Sequence, residues 1–246
     1  MRENAINEAL ESTETDLNRM NYPYALEYFH FHRHRFRDIL KKVVELKKEV
    51  KISDAGLTVL EVGSFVGCLT IACNHLGFKS CGIDLEKYIS KINFSRDGLE
   101  YKACDLKNEL IPYNDEAFDL VIFSEVLEHL DFHPLDLFQE LSRVLKKDGK
   151  IIITTPNFKR LNNRIKLLLG REILEIIPGA HYREFTLPDI LHLLDKSGLR
   201  CTGNVDENFA YFDFPERNVL IKWIDKIAGA TFPNLSSNIF VTAVKK

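Results

Sequence analysis

The feature that most restricts the fold is the alternation of short apolar runs with helical patterns along most of the chain. Strands are predicted, in chain order, at 58–62, 80–84, 99–103, 118–123, 149–155, 199–206 and 238–244. Helices are predicted at 67–76, 86–94, 134–146, 187–197 and 216–228. Each of the first four strands is followed by a segment long enough to cross over to a parallel neighbour. The pattern therefore predicts an α/β fold with a mostly parallel sheet and helices on both faces.

The N-terminal part of the chain does not follow this alternation. Residues 1–20 are polar and are predicted to be loose or weakly helical. A helix is predicted over 24–50, because apolar residues recur there every three or four positions. These residues are Phe36, Ile39, Val43, Leu46 and Val50. The resulting division is an N-terminal helical extension or lid, 1–52, followed by one α/β domain, 53–246.

Composition narrows the class of protein further. The 246 residues include 33 Lys and Arg against 36 Asp and Glu, a net charge of −3, which disfavours a general nucleic-acid-binding protein. The five cysteines form no CxxC pair and are predicted to be free thiols in a reducing compartment. Because neither a signal peptide nor a transmembrane run is seen, the sequence predicts a soluble, cytoplasmic protein.

A glycine-containing turn follows the first predicted strand. Glu61 lies near the end of that strand, and Gly63 and Gly67 bracket the turn into the next helix. Glycines let the chain turn tightly and let a ligand approach the backbone, while the helix N-terminus presents free N–H groups. The turn fits a nucleotide-like ligand and fits a simple tight connection about equally well.

Further polar residues stand where the next strands end. Asp84 closes the second predicted strand, Asp105 the third, and the fourth delivers Ser124 and Glu125. Taken singly, each acid is better explained by a turn or a helix cap. Their recurrence at successive strand ends predicts a ligand site, because open α/β sheets bind ligands at the carboxyl ends of their strands.

The order of these motifs resembles the class I S-adenosylmethionine-dependent methyltransferases. Within them it most resembles the group that holds many small-molecule, quinone and bacterial glycan methyltransferases. The resemblance is specific over 57–157, looser beyond it, and covers little of 1–50. It implies a Rossmann-like, seven-stranded sheet of order 3-2-1-4-5-7-6 with the last strand antiparallel. It also implies S-adenosyl-L-methionine as the cofactor and S-adenosyl-L-homocysteine as the product.

Eight residues are expected to bind the cofactor, six of them because of this resemblance. These six are Glu61, Gly63, Gly67, Asp84, Asp105 and Leu106; Ser124 and Glu125 join them through their place at the end of the fourth strand. Glu61 and the two glycines would lie under the methionine moiety, Asp84 would hold the ribose, and Asp105 with Leu106 would hold the adenine. One position departs from the family pattern, since Phe65 stands where the loop commonly carries a glycine.

Methyl transfer to a hydroxyl needs a positioned acceptor and a base for its proton. His181 and His129 are the catalytic candidates, because each is expected near the strand ends or near the acceptor pocket. For His129, a structural role within its helix or against the loop is an equally good explanation. The acceptor pocket is expected in an inserted cap at about 157–185, and the resemblance implies O-methylation of a small-molecule or glycan-like acceptor.

Metal binding is not predicted from the sequence. His30, His32 and His34 alternate, but on a helix His32 points away from the other two, and no nearby Cys or acid completes a site. This helix is instead predicted to form a lid over the cofactor or the acceptor, with Tyr28, His32 or Arg33 reaching inward. The alternative is that the helix is simply exposed.

Several alternatives remain open at this stage. The stretch 159–177 carries leucines, isoleucines and five basic residues, so an interfacial helix in peripheral membrane contact competes with a packed cap. A non-catalytic partner subunit and an RNA methyltransferase are the competing functions. A nicotinamide oxidoreductase is disfavoured, because the loop lacks a G-x-G-x-x-G pattern. Nucleic acid is not expected as a partner, and no feature indicates an oligomeric state.

Overall fold

The computed structural model describes residues 2–20, 22–48, 56–92, 95–173, 181–202 and 236–246. Two long helices come first, α1 (Arg2–Arg19) and α2 (Pro23–Leu46). The predicted apolar stripe of α2 is confirmed for Phe36, Ile39, Val43 and Leu46, which are all buried. Val50 and the predicted helix at 216–228 lie outside the described residues.

Of the two alternatives predicted for residues 1–20, loose or weakly helical, the structure has the helix: α1 is packed against α2 and against the later helix α3 (Cys68–His75). Leu10 and Leu17 are completely buried, and so is Thr13, which lies between them in the sequence. These positions recur every three or four residues, so α1 does have a buried face. Thr13 interrupts the apolar stripe, and the surrounding residues are polar, which is why the sequence indicated at most a weak helix.

Seven strands are found in the described residues, at nearly the predicted places. They are β1 (Thr58–Val62), β2 (Lys79–Asp84), β3 (Leu99–Ala103), β4 (Phe118–Ser124), β5 (Leu145–Pro156), β6 (Leu199–Cys201) and β7 (Asn238–Lys245). The remaining helices are α4 (Glu86–Ile89), α5 (Leu135–Val144), α6 (Leu161–Leu168) and α7 (Leu187–Lys196). At the start of α7, the Asp189 carboxylate accepts the Thr186 N–H at 2.8 Å and the Thr186 hydroxyl at 2.6 Å.

The predicted sheet order is confirmed, and so is the antiparallel last strand. The order is β3-β2-β1-β4-β5-β7-β6. β1 pairs parallel with β2, and β2 pairs parallel with β3. β6 pairs antiparallel with β7. This is the Rossmann-like arrangement that the motif order implied.

Three helix predictions were too long, and the first of these, over 24–50, corresponds to α2, which ends at Leu46. Predicted to reach residue 94, α4 ends at Ile89, because Lys91 and Ile92 bond three residues back and turn the chain out of the helix. The helix predicted over 134–146 ends at Val144, and β5 begins directly at Leu145.

The chain divides into two compact units. One comprises Met1–Ile122 with Arg143–Lys150, and the other comprises Phe123–Ser142 with Ile151–Lys246. In the first, Leu60, Leu69 and Ile83 are among the most buried side chains. In the second, the rings of Phe123 and Phe138 meet edge to face at 6.1 Å.

All five cysteines are free, as predicted. Among the described helices, none combines the length and the apolar character that a bilayer crossing requires.

Candidate functional site

The turn after β1 is built from left-handed backbone. Gly63, Phe65 and Gly67 have φ angles of 75°, 50° and 79°. The backbone N–H groups of Gly63 and Ser64 both donate to the carbonyl oxygen of Ile83, at 2.9 and 3.0 Å. The turn is therefore held against the end of β2, with two glycines where L-side chains are strained.

Asp84, at the tip of β2, ties the same turn in place. Its carboxylate accepts the Phe65 N–H and the Leu85 N–H, both at 2.7 Å. Burial raises the pKa of Asp84 above its ordinary value, and the two backbone bonds oppose that rise. Each carboxylate oxygen has two acceptor sites, so one bond per oxygen leaves room for ribose hydroxyls.

Glu61 is already engaged within the fold. Its carboxylate accepts the Thr70 backbone N–H at 2.7 Å and also accepts the Thr70 hydroxyl. Burial raises the pKa of Glu61 to about 8, against lowering by the bonds from Thr70. The contacts show this side chain fixing the first turn of α3 beneath the glycine turn.

Phe65 keeps the backbone conformation that a glycine would favour at its position. Its ring joins an aromatic cluster with Tyr28 at 4.9 Å, Tyr88 at 5.0 Å and Tyr24 at 5.8 Å, measured between ring centroids. Tyr24 and Tyr28 belong to α2, so the N-terminal helix contacts the turn directly. Of the three residues in the lid hypothesis, Tyr28 thus contacts the turn, whereas the Arg33 side chain forms an ion pair with Glu14 of α1.

Asp105 lies two residues beyond β3 and caps a turn. Its carboxylate accepts the Lys107 N–H at 3.0 Å and the Asn108 side-chain amide at 2.8 Å. The bond from Asn108 is the main reason that the pKa of Asp105 is lowered. The Cys104 N–H next to it donates to the Asp84 carbonyl at 2.8 Å. The tips that bear Asp84 and Asp105 therefore adjoin, and Leu106 follows half-buried.

In the second unit, Ser124 and Glu125 share one hydrogen-bond network. The hydroxyls of Ser124 and Thr154 lie 2.8 Å apart, and Thr154 donates to the Glu125 carboxylate at 2.9 Å. Glu125 has a φ of 55°, a left-handed conformation that is uncommon for a glutamate. Such strained residues cluster at functional sites.

His129 and His181, the two catalytic candidates, are brought together. Their rings meet edge to face with centroids 5.0 Å apart. His129 ends a short 3-10 turn, Leu127–His129, and Glu128 beside it is buried. The carbonyl oxygen of Glu128 accepts the Tyr182 N–H at 2.9 Å, which fastens the segment after His181 to this turn.

Glu184 stands behind His181. Its buried carboxylate lies 2.7 Å from the Arg160 guanidinium and 3.7 Å from the His181 Nδ1, and it accepts the Asn163 amide at 2.7 Å. Burial would raise the pKa of Glu184, but the bonds from His181, Arg160 and Asn163 outweigh it and lower the pKa. A carboxylate at Nδ1 directs the other ring nitrogen, Nε2, away from Glu184.

Sequence reasoning missed several members of these groups. Tyr24, Tyr88, Glu128 and Glu184 were not singled out. Glu128 adjoins His129 and Glu184 follows His181 by three positions, so proximity in sequence was an available signal. The contact between the two histidines had no such signal, because they are far apart in the chain.

Comparisons with known proteins agree with this geometry. A family model described as a methyltransferase domain matches residues 28–203. The mitochondrial ubiquinone biosynthesis O-methyltransferase of Bos taurus is 32% identical over 159 residues, covering 59% of this chain and 42% of that protein. Its counterpart from Dictyostelium discoideum is 30% identical over 210 residues, covering 78% and 63%. The chain thus spans less than half the length of the bovine relative.

A solved structure shows the same fold. It is an S-adenosylmethionine-dependent methyltransferase from Mesorhizobium loti, with a TM-score of 0.55 and 18% identity over 77% of this chain and 91% of that one. Fold and motif order together define a class I S-adenosylmethionine-dependent methyltransferase fold. This chain belongs to the methyltransferase-domain family, and the resemblance read from its sequence is confirmed.

Proposed function

We propose that this chain transfers the methyl group of S-adenosylmethionine to an oxygen atom of a small-molecule acceptor. The observation that carries the proposal is the turn from Gly63 to Gly67, whose left-handed backbone is bonded to the Asp84 carboxylate at the tip of β2. When bound, the cofactor supplies an electrophilic methyl group on a sulfonium. The protein then has to hold the cofactor, orient the acceptor and accept its proton.

The cofactor would be held by residues of the first unit. Gly63 and Gly67 let the methionine moiety approach the backbone, Asp84 accepts ribose hydroxyls, and Asp105 with Leu106 binds the adenine. Glu61 supports this site from below by fixing Thr70, so its contribution is to the shape of the turn. The assignment of Ser124 and Glu125 to the same cofactor stays a prediction.

The proposal for the acceptor rests on the names of the relatives and on two histidines of the second unit. The bovine and Dictyostelium relatives are named as O-methyltransferases of ubiquinone biosynthesis, which supports an oxygen atom on a small molecule. His181 and His129 are proposed to face that oxygen. A glycan acceptor stays a second prediction, and so do the lid role of 1–52 and the cap role of 157–185.

Cellular placement in the cytoplasm is part of the proposal. The sequence predicts a cytoplasmic protein, whereas the bovine relative is named as mitochondrial. In α6 and just after it, Ile165, Leu167, Leu168 and Leu169 are exposed around Lys166. Peripheral membrane contact through this helix is therefore retained as a proposal.

Calorimetry with S-adenosylmethionine and S-adenosylhomocysteine tests the cofactor assignment. We expect the wild-type chain to bind both, and Asp84→Ala to weaken both by roughly 10–100-fold, because it removes hydrogen bonds to a charged group. Asp97→Ala is the matched control, since Asp97 is an exposed acid of the same unit. No binding of either ligand to the wild-type chain would refute the proposal. Equal affinities of Asp84→Ala and Asp97→Ala would refute the ribose role alone.

A further inference from the structure

We propose that Glu128, His129 and His181 form a binding site for a divalent transition-metal ion. One ligand atom from each of the three side chains lies within 4.8 Å of the other two. Two imidazoles and one carboxylate are a common donor set for zinc, and three protein ligands leave a position open for another molecule. The sequence predicted no metal site, because these residues come from separate segments that only the fold brings together.

The distances need only a small adjustment to hold an ion. Bonds of about 2.0–2.2 Å from each ligand atom to a zinc ion place those atoms within about 4 Å of one another. His129 is the exposed member of the three, so rotation of its side chain can bring its ring nitrogen closer to the other two ligand atoms. Glu128 is buried and already oriented, because its Oε2 accepts the Thr155 hydroxyl at 3.0 Å.

The surroundings of His181 provide an independent argument. Metal-binding histidines almost always have a carboxylate, carbonyl or water at their other ring nitrogen, which fixes the tautomer and the ring orientation. The Glu184 carboxylate, buried and held by Arg160 and Asn163, lies 3.7 Å from the His181 Nδ1. The backbone bond from Tyr182 to Glu128 holds the two segments that carry the ligands. The ion would therefore meet ligands that are largely arranged in advance.

A metal ion here would change the role of the two histidines. A bound cation lowers the pKa of a hydroxyl that coordinates to it, so the acceptor could lose its proton to water without a histidine base. This use of the ion rests on the proposed function, whereas binding of the ion does not.

Metal binding is measured directly on the 246-residue chain without an affinity tag. Titration calorimetry with zinc chloride is expected to show one tight equivalent in the wild-type chain. In His181→Ala and in Glu128→Gln, that equivalent should weaken by more than tenfold. Glu184→Gln should weaken it about 10–100-fold, as removal of an orienting partner does. His192→Ala, an exposed histidine of the same unit, should behave as the wild type does.

The outcomes separate this proposal from the proposed function. Zinc affinity that is equal in the wild type, His181→Ala and Glu128→Gln overturns the metal site, since other residues would then hold the ion. Because Glu128→Gln keeps the size of the buried side chain, its loss of zinc with an unchanged unfolding curve cannot be attributed to misfolding. Binding of S-adenosylhomocysteine is measured in parallel. Its retention alongside absent zinc binding would refute the metal site alone, and its absence alongside tight zinc binding would refute the cofactor assignment alone.

Discussion

The acids at the strand ends differ in what already occupies their carboxylates. Glu61 is buried and bonded to Thr70, Asp84 holds two backbone N–H groups, and Asp105 caps its own turn. Burial raises the pKa of Glu61 and of Asp84. The pKa of Asp105 is lowered, chiefly by the hydrogen bond from Asn108. Acids at similar strand-end positions thus have pKa values shifted in opposite directions.

Glu61→Gln should make the fold less sensitive to pH. The pKa of Glu61 is about 8 in the folded chain against 4.5 ordinarily, so its contribution to stability is present below 4.5 and is lost as the pH rises towards about 8. Glutamine keeps the shape without the charge. Between about pH 5 and about pH 9, the wild type should lose roughly 2–4 kcal/mol relative to Glu61→Gln in denaturant unfolding.

The matched control is Glu100→Gln, at an exposed position on β3. Its unfolding free energy should follow the wild type across the same pH range. If Glu61→Gln also follows the wild type, Glu61 is ionised in the folded chain and its burial does not shift its titration.

Single residues also show what the sequence could reveal. Asp84 could be placed from the chain alone, because an acid after a short β run at regular spacing has few other positions in an α/β fold. The protonation of Glu61 could not, because it depends on Thr70 and on burial. The contact between His129 and His181 could not either, because helix and strand patterns do not determine how loops approach each other.

At the scale of elements, the N-terminal helices are integral parts of the first unit. Both α1 and α2 pack on α3, and α2 adds two tyrosines to the ring of Phe65. The sequence predicted α2, whose stripe is apolar, and missed α1, whose buried face includes a threonine and an alanine. Burial in tertiary structure stabilises a helix whose own pattern is weak.

Leu17→Ala tests whether α1 contributes to the stability of the domain. Leu17 is fully buried, so the substitution removes apolar contacts and leaves a cavity. We expect a loss of about 2–4 kcal/mol in the free energy of unfolding. Glu11→Ala, on the exposed side of the same helix, should change it by less than about 0.5 kcal/mol. Equal effects of the two substitutions would show that α1 is not packed on the domain.

At the scale of the whole molecule, the sheet depends on its last strand in chain order. β7 stands between β5 and β6, and seven of its eight residues are buried in an unbroken run from Asn238 to Val244. Removing a central strand would leave two neighbours with unpaired backbone groups and exposed apolar faces. The order of the last two strands in the sheet is thus the reverse of their order in the chain.

Truncation after Ser237 should abolish cooperative unfolding. The shortened chain loses β7 entirely, and circular dichroism should show no thermal transition. Truncation after Lys245 is the control, since it removes Lys246 and its exposed bridge to Asp195 but no strand residue. Phe240→Ala is a milder variant of a buried β7 residue, expected to cost about 3–5 kcal/mol. A cooperative transition after the first truncation would show that the sheet closes without β7.

The position of β7 also has a consequence for biosynthesis. During translation, β1 to β5 leave the ribosome in an order that lets each find a neighbour, but β6 emerges before the strand that joins it to β5. Until Asn238–Lys245 has cleared the exit tunnel, the nascent polypeptide exposes an open sheet edge, a state in which chaperones commonly intervene. Completion of the sheet therefore waits for β7, however early its first strands form.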